Sequence, residues 1–342
     1  MKIKRSIVLI AFSVMVCTSC KNSLNIQAPY KDVTVVYGLI DQNDPIHYFR
    51  INKGFEGTAN AYTMAKQFDS IYYLPTSVIT AVLQDSNTTS NTISTITLDT
   101  TTSIPLGPGT FSYPKQILYQ TNATLNPADY YSLIITNTKT GKITRGSTAL
   151  LPDVGFVSPS PYNLTTNGGT LTLESAPLFT TIAWNTSTNA RIYQMSLLFY
   201  YSNQVGGSSP IPQTPLQLVL PEQTSPVLSS GYTMTYTITA QELFALIISS
   251  IQPETGVTRY ADSLGIVFTS GTDDLNTYVL LSQPPTGINQ DVPSFSDVTN
   301  AVGLFTARHI QTFYKKIDLA TMDSLTEEPR FTTGTNGLGF AP

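Results

Sequence analysis

Charged side chains are scarce in this 342-residue chain: Asp, Glu, Lys and Arg make up 12% of it, against about 25% in an average soluble domain. The 18 basic residues do not outnumber the 22 acidic ones, so the chain has no excess of cations with which to displace the counterions of a nucleic acid. With two cysteines, it is not a disulfide-stapled scaffold. The excess of Ala, Glu, Lys and Leu typical of coiled coils and helical solenoids is also missing.

Hydroxyl groups supply the polarity that charges do not: the chain has 50 Thr and 32 Ser. It also has 15 Phe and 19 Tyr, which a disordered chain would lack. Threonine, tyrosine and the other β-branched and aromatic residues favour strands. The composition therefore predicts a large all-β protein that does not bind nucleic acid.

The first twenty residues form an export signal that ends in a cysteine. A basic start precedes an apolar run over residues 7–16, and the small Thr18 and Ser19 stand before Cys20. The run is shorter than the roughly 20 apolar residues that cross a bilayer, and the layout is that of a secretory signal peptide. The ending resembles a bacterial lipobox, in which cleavage after Ser19 exposes Cys20 for acylation. The alternative is an ordinary signal peptide with an incidental cysteine.

Loss of this signal would change the charge and the chemistry of the chain. The mature protein would have a net charge of -7 and Cys20 as its only cysteine, so it could form no internal disulfide. Several acyl chains anchor a protein firmly. We therefore expect it to contact the membrane through its N-terminal lipid. Lys21 stands where an Asp would resemble an inner-membrane retention signal, which favours the outer membrane and leaves the membrane face open.

The mature chain divides by composition into β-rich units separated by Pro and Gly. We predict two Ig/fibronectin-like β-sandwich domains in tandem, with one or two short helices. The predicted segments are a signal peptide 1–19, a lipidated tether 20–32, an N-terminal sandwich 33–152, a linker 153–169, a C-terminal sandwich 170–317 and a tail 318–342, whose last part, 332–342, is expected to be loose.

Four local predictions accompany this division. The spacing from Leu125 through Pro127 to Tyr131 resembles a fibronectin tyrosine corner, whose Tyr bonds back to upstream backbone; the alternative is a chance Pro before a Tyr-rich strand. Trp184 is predicted to lie in the second core. A capping box from Thr239 to Glu242 predicts a helix over 240–251. An apolar run over 277–281 predicts a strand.

The residues offer no recognisable catalytic or metal constellation. His47 and His309 lack partners at metal-ligand spacing, and we expect both to be ordinary surface or strand-end residues. No Gly-x-Ser-x-Gly elbow is present. The turns at 41–44 and 273–274 have oxygen ligands suited to Ca²⁺, but solvated turns are the preferred interpretation. We therefore predict no enzyme activity, no catalytic residue, no metal and no cofactor.

Two further patterns concern sugars. Four sites resemble the O-glycosylation site of exported Bacteroidota proteins, an Asp followed by a hydroxyl residue and then an aliphatic residue or Thr: Ser70, Thr100, Ser263 and Ser324. The pairs Tyr72–Tyr73, Tyr130–Tyr131 and Tyr200–Tyr201 are candidate glycan contacts. Neighbouring strand residues point to opposite faces, so one tyrosine of each pair is expected to be core.

Four segments together resemble an uncharacterised family of Bacteroidota outer-membrane lipoproteins, a domain of unknown function. They are residues 36–40, 47–52, 127–151 and 300–305. The resemblance implies no catalytic residues, and it implies an association of some relatives with TonB-dependent transporters. We hypothesise a lipid-anchored accessory protein that binds a protein or glycan partner in the envelope. The alternatives are a structural or adhesive, fimbria-like surface protein and, with less support, a glycan-processing enzyme with paired carboxylates.

Overall fold

The structure is a computed structural model that describes residues 33–54, 60–87, 91–159, 170–171, 173, 179–283, 295–332 and 337–342. Strands make up 48% and helices 15%, arranged as several sheets with a few short helices. The prediction of an all-β, sandwich-type fold is confirmed.

The elements are named in chain order. The strands are β1 Thr34–Ile40, β2 His47–Lys53, β3 Ile79–Ser86, β4 Thr92–Thr97, β5 Asp99–Thr101, β6 Leu118–Thr121, β7 Tyr130–Asn137, β8 Ile143–Ala149, β9 Gly155–Ser158, β10 Thr170–Leu171, β11 Phe179–Asn185, β12 Ala190–Val205, β13 Ile211–Pro212, β14 Leu216–Val219, β15 Gln223–Thr224, β16 Thr233–Thr239, β17 Val257–Thr272 and β18 Ala301–Ile317. The helices are α1 Ala61–Ala65, α2 Phe68–Ile71, α3 Ala240–Ser250, α4 Asp273–Ser282 and α5 Leu319–Glu327, and Thr76–Val78 form a 3-10 turn.

Two sheets face each other in the N-terminal half. One carries β18, β1, β2, β6 and β5 in that order, and the other carries β4, β3, β7 and β8. Between them lie the fully buried rings of Phe49 and Phe305, with centroids 6.2 Å apart. On the opposite sheet Gly146 lets β8 approach closely, because a Cβ there would lie 2.9 Å from the Cβ of Phe305.

Strand β18 belongs to both halves of the molecule. Its first seven residues, 301–307, pair in parallel with β1, and residues 308–315 pair antiparallel with β17. The first half of this strand therefore completes the N-terminal sandwich, which corrects its assignment to the C-terminal domain. The two sandwiches share one continuous sheet, because a strand this long offers successive stretches of backbone to two different neighbours.

A second pair of sheets encloses the C-terminal core. Strands β16, β11 and β9 form one sheet, and its aromatic side chains pack on β17 and β18. The ring centroid of Trp184 lies 5.1 Å from that of Phe268, and the Phe156 ring stacks on Phe313 at 4.6 Å. Trp184 is 1% exposed, which confirms its prediction as a core residue.

Two predicted boundary segments contribute to the packed structure. Part of the predicted linker forms β9, which pairs with β11; residues 160–169 lie outside the described residues. The tail predicted over 318–342 begins with α5. Its last part, 332–342, was expected to be loose, and the burial of Leu338 and Phe340 corrects that expectation. The buried guanidinium of Arg259 donates to the Leu338 carbonyl oxygen. A backbone bridge from Phe340 to Arg259 on β17 and the packing of the Phe340 ring on Phe199 of β12 thus fix the C-terminus.

The helix predicted over 240–251 is confirmed as α3. The side chain of Thr239 accepts from the Glu242 amide, and Glu242 accepts in return from the Thr239 amide at 2.8 Å. The strand predicted at 277–281 is wrong, because these residues belong to α4. A hydroxyl cap from Thr272 and the acidic Asp273 and Asp274 in the first turn start this helix, in keeping with helix N-terminal preferences.

The tyrosine corner is confirmed. The hydroxyl oxygen of Tyr131 accepts a hydrogen bond from the Asn126 amide at 2.7 Å, and the Tyr131 side chain is 1% exposed. Its neighbour Tyr130 is 45% exposed, as the alternation of a strand requires. The corner fixes the loop before β7 to the core.

Candidate functional site

The predicted lipidation site lies outside the described residues. Ser19 and Cys20 precede residue 33, where the described part of the chain begins. Cleavage and acylation at these positions therefore stay predictions. Among the helices of the described residues, none combines the length and the apolar character needed to cross a membrane.

The four residues with an O-glycosylation-like sequence lie on four different elements. Thr100 is exposed on β5, whereas the other three are half-buried. These three are Ser70 on α2, Ser263 on β17 and Ser324 on α5. Thr100 thus offers a transferase the best access, and modification at all four positions stays a prediction.

Both histidines are buried: His47 lies at the start of β2, as expected of a strand-end residue, whereas His309 lies inside β18, which corrects its expected place at the surface or at a strand end. Each is 1% exposed. The Nε2 atom of His47 lies 3.1 Å from the carbonyl oxygen of Ala123, and its Nδ1 has no hydrogen-bond partner among the described residues. Burial lowers the pKa of His47, and the hydrogen bond to Ala123 opposes that shift.

His309 joins three parts of the chain that are distant in sequence. Its Nδ1 lies 3.0 Å from Oδ1 of Asp41, and its Nε2 lies 2.7 Å from Oδ1 of Asp153. A neutral imidazole has only one N–H, so hydrogen bonds from both nitrogens to carboxylates require the imidazolium. We call this arrangement the Asp41–His309–Asp153 clasp.

The charges of the clasp stabilise one another. Burial alone would lower the pKa of His309, but the hydrogen bonds to Asp41 and Asp153 outweigh it and raise that pKa. Burial alone would raise the pKa of Asp41, but the hydrogen bonds from His309 and from the amides of Asn43 and Ile310 lower it. Asp41 and His309 are both 1% exposed, whereas the Asp153 side chain is 69% exposed. The buried Asp41–His309 pair is therefore a structural link, which Asp153 joins from the surface.

The acidic turns considered for calcium have protein partners. Both oxygens of Asp41 accept hydrogen bonds within the clasp and from backbone amides, and Asp44 lies 3.7 Å from the guanidinium of Arg308. Asp273 is paired with Arg191 at 2.8 Å. Across the described ranges, no group of three or more His, Cys, Asp or Glu is placed to hold a metal ion.

One carboxylate pair bears on the glycan-processing alternative. Asp85 and Asp129 lie near each other, and burial followed by the charge of Asp129 raises the pKa of Asp85. Glycosidase carboxylates stand about 5–10 Å apart to accommodate the reacting sugar or water. Glycan processing by paired carboxylates therefore stays a prediction.

A groove of about 440 Å³ opens on the outer face of the large sheet, beside α4. Tyr37 on β1 and Tyr48 and Arg50 on β2 line its floor, and Leu275 and Tyr278 of α4 form its wall. We call this feature the tyrosine groove. Its floor lies on sheet strands, which hold their side chains more rigidly than loops do.

Strand register brings the floor residues together. Tyr37 stands opposite Leu304 on β18 and opposite Arg50 on β2. Tyr48 is two residues before Arg50 and so shares its face of the sheet. The rings of Tyr37 and Tyr278 meet edge to face, with centroids 6.2 Å apart. The groove thus combines aromatic faces with one cation.

The charge of Arg50 has no anionic partner in the described part of the chain. Its Nη2 donates to the neutral side chain of Gln116 at 3.1 Å, and none of the ion pairs among the described residues includes it. Burial and a hydrogen bond with Tyr278 raise the pKa of Tyr37, while the nearby Arg50 opposes this shift. The phenol is therefore neutral, and the groove has a net positive charge.

The sequence alone predicts only part of this groove. Alternation along residues 47–51 places Tyr48 and Arg50 on one face, but it does not say which strands lie beside them. The tyrosine pairs singled out earlier are elsewhere: Tyr72 and Tyr73 are both buried, which corrects the expectation that one of them is exposed. The ring of Tyr200 on β12 packs against that of Tyr314 on β18, with centroids 5.8 Å apart, across β17 in the sheet of the C-terminal sandwich.

A larger depression of about 780 Å³ lies at the loop end of the C-terminal sandwich. Glycine and other loop residues line it, among them Gly206, Gly207 and the segment 253–258. Among the described residues that line it, none has an aromatic ring or a cationic side chain. The tyrosine groove therefore has the greater capacity for specific recognition, which comes from a few polar groups placed on an apolar surface.

Comparisons with known proteins add little to this geometry. No family model matches the chain, and neither does any curated protein. Among solved structures, the C-terminal globular domain of an oligosaccharyltransferase from Pyrococcus abyssi is 11% identical, with 62% of this chain and 41% of that chain covered and a TM-score of 0.15. The chain spans less than half of that structure, and so low a TM-score carries no argument.

Proposed function

We propose that this protein is a lipid-anchored, non-catalytic binding protein of the bacterial outer membrane, and that it binds its ligand in the tyrosine groove. The observation that carries the proposal is the groove itself, in which the exposed ring of Tyr37, the half-buried ring of Tyr48 and a guanidinium with no ion pair among the described residues stand on neighbouring strands. Aromatic and arginine side chains are enriched in recognition surfaces. The sheet supports them from below, and α4 supports them from one side.

The anchoring part of the proposal rests on the lipobox-like end of the signal at Cys20. The test is incorporation of a labelled fatty acid and partition into the membrane fraction. Wild-type protein is expected to carry the label, and Cys20→Ser is expected to lose both label and membrane attachment. Cys17→Ser is the matched control, since that cysteine leaves with the signal peptide. Membrane-bound, correctly processed Cys20→Ser protein would contradict the anchor.

The binding part is tested with an array of purified glycans and the detergent-solubilised protein. We expect binding to at least one glycan, and we expect Tyr278→Ala to lose it because α4 then presents no ring to the groove. Tyr62→Ala removes an exposed tyrosine on α1, which was not among the candidate glycan contacts, and should leave binding intact. Binding that survives Tyr278→Ala, or no binding to any glycan, would count against the proposal.

The adhesive alternative depended on a loose C-terminal segment available for strand exchange. Leu338 and Phe340 are buried, and Phe340 forms a backbone bridge with Arg259. This segment is therefore occupied within the molecule, and the groove makes binding the favoured function. An association with a TonB-dependent transporter, implied by the family resemblance, is part of this proposal as a context for the anchored protein.

A further inference from the structure

We infer that the tyrosine groove binds a carboxylated sugar, with Arg50 pairing with the carboxylate and the tyrosine rings packing against the pyranose. The inference rests on the proposed binding function and names the ligand class. It follows from the charge, the shape and the chemistry of the groove lining.

The cation is the first argument. Arg50 is half-buried, and a guanidinium has five N–H donors in a planar fork. One of these donors forms the hydrogen bond to the side-chain oxygen of Gln116. Removing a charged group from water is costly without an opposite charge, and none of the described carboxylates lies within ion-pair distance of Arg50. An anionic ligand would supply that charge.

The rings are the second argument. Tyr37 is 40% exposed, and its ring meets that of Tyr278 edge to face. Tyrosine combines an apolar face with a hydroxyl that accepts or donates a hydrogen bond. A pyranose has the same mixture, with apolar C–H faces and a rim of hydroxyls. Leu275 and Leu304 extend the apolar surface at the sides of these rings.

The kind of anion follows from the number of cations. A single arginine matches a carboxylate with two parallel N–H···O bonds and balances its one negative charge, whereas a phosphate monoester carries about -1.5 to -2 at pH 7 and would need further cations. At about 440 Å³, the groove is in the lower part of the range of about 300–1,000 Å³ for small-molecule sites. It would accept one or two sugar units at the end of a chain, and a uronic acid is the simplest sugar with the required carboxylate.

The test is calorimetric titration of the detergent-solubilised full-length protein with a disaccharide that contains glucuronic acid. The matched neutral probe is the disaccharide with glucose in place of glucuronic acid. We expect the acidic probe to bind at least tenfold more tightly than the neutral one. Arg50→Gln is expected to abolish this preference, and Arg50→Lys to keep part of it, because a lysine retains the charge without the planar fork. Arg145→Gln on the exposed face of β8 should change nothing.

The outcomes separate this inference from the proposed function. Equal affinity for the acidic and neutral probes, both lost in Tyr278→Ala, would support a glycan site and overturn the role of the carboxylate. An acidic preference unchanged in folded Arg50→Gln would overturn the assignment to Arg50. No binding of either sugar, with binding of an acidic peptide, would overturn the sugar class. Thermal melts of each variant confirm that the altered protein is folded.

Discussion

Nδ1 of His309 lies 3.0 Å from Oδ1 of Asp41, although the two residues are 268 positions apart in the chain. The contact lies at the point along β18 where parallel pairing with β1 ends and antiparallel pairing with β17 begins. Asp153, between the two sandwiches in sequence, binds the other nitrogen of the same imidazole. One protonated side chain thus connects the N-terminal sandwich, the start of the C-terminal sandwich and the strand that they share.

The clasp predicts a pH-dependent contribution to stability. The folded-state pKa of His309 is raised above its ordinary 6.5, so this contribution is complete below pH 6.5 and is lost as the pH rises through the raised value. The pKa of Asp41 is lowered from 3.8, so its contribution is present above that pH and is lost as the pH falls through the lowered value. We expect the difference in free energy of unfolding between wild type and His309→Gln to be largest between pH 3.8 and 6.5.

Urea denaturation at a series of pH values measures that difference. Within the window, His309→Gln should cost about 3–5 kcal/mol, since it leaves the buried Asp41 carboxylate without its cation. The double variant Asp41→Asn, His309→Gln should recover part of the loss, because it removes the unpaired charge. A wild-type and variant difference that stays constant from pH 5 to pH 9 would rule out a protonated clasp.

The contribution of His47 to stability is expected to change with pH in the opposite direction to that of His309. Burial lowers its folded-state pKa below 6.5, despite the opposing hydrogen bond to Ala123. The unfolded chain therefore binds more protons at this position below pH 6.5, and stability falls as the pH decreases toward the folded-state pKa. We expect His47→Gln to flatten this decline relative to wild type in melts recorded from pH 7 to pH 5. A steeper decline in the variant would contradict the lowered pKa.

Local signals were predictable from the sequence, and contacts between distant segments were not. The capping box at Thr239 and Glu242 and the corner at Tyr131 each lie within a few residues, where spacing fixes the geometry. The clasp depends on partners 268 and 156 positions from His309. Spacing rules for metal and catalytic sites apply only within short segments, so they could not identify these partners. His309 was therefore expected at the surface or at a strand end, although it is buried.

The tyrosine groove could be predicted from the sequence only in part. Alternation along β2 places Tyr48 and Arg50 on one face, but Tyr37 joins them only through strand register. Helix α4, which forms the wall of the groove, was not predicted, because residues 277–281 form a short apolar run that fits a strand as well as a helix. Its helical state depends on the cap at Thr272. That cap places Tyr278 against Tyr37.

The tyrosine corner predicts a specific loss of stability. Tyr131→Phe removes a hydroxyl that accepts from the Asn126 amide at 2.7 Å and leaves that amide without its partner, at an expected cost of about 1–3 kcal/mol. Tyr130→Phe removes a hydroxyl from a ring that is 45% exposed, and it should change the free energy of unfolding by less than about 0.5 kcal/mol. Equal losses in the two variants, measured by urea denaturation, would mean that the corner hydrogen bond does not stabilise the loop.

The pairing of β1 with β18 predicts that Gly303 tolerates no side chain. Its φ is +132°, and a Cβ would lie 1.8 Å from the carbonyl oxygen of Val36, its partner across the two strands. Gly303→Ala therefore combines an unfavourable backbone conformation, about 1–3 kcal/mol, with a clash that pushes β1 away from β18.

Gly141 also has a positive φ, but a Cβ there would meet no atom within 4 Å. Gly141→Ala thus measures the conformational cost alone, and urea denaturation should give a clearly larger loss for Gly303→Ala. Losses of the same size would show that the shared sheet does not need the close approach of Val36 and Gly303.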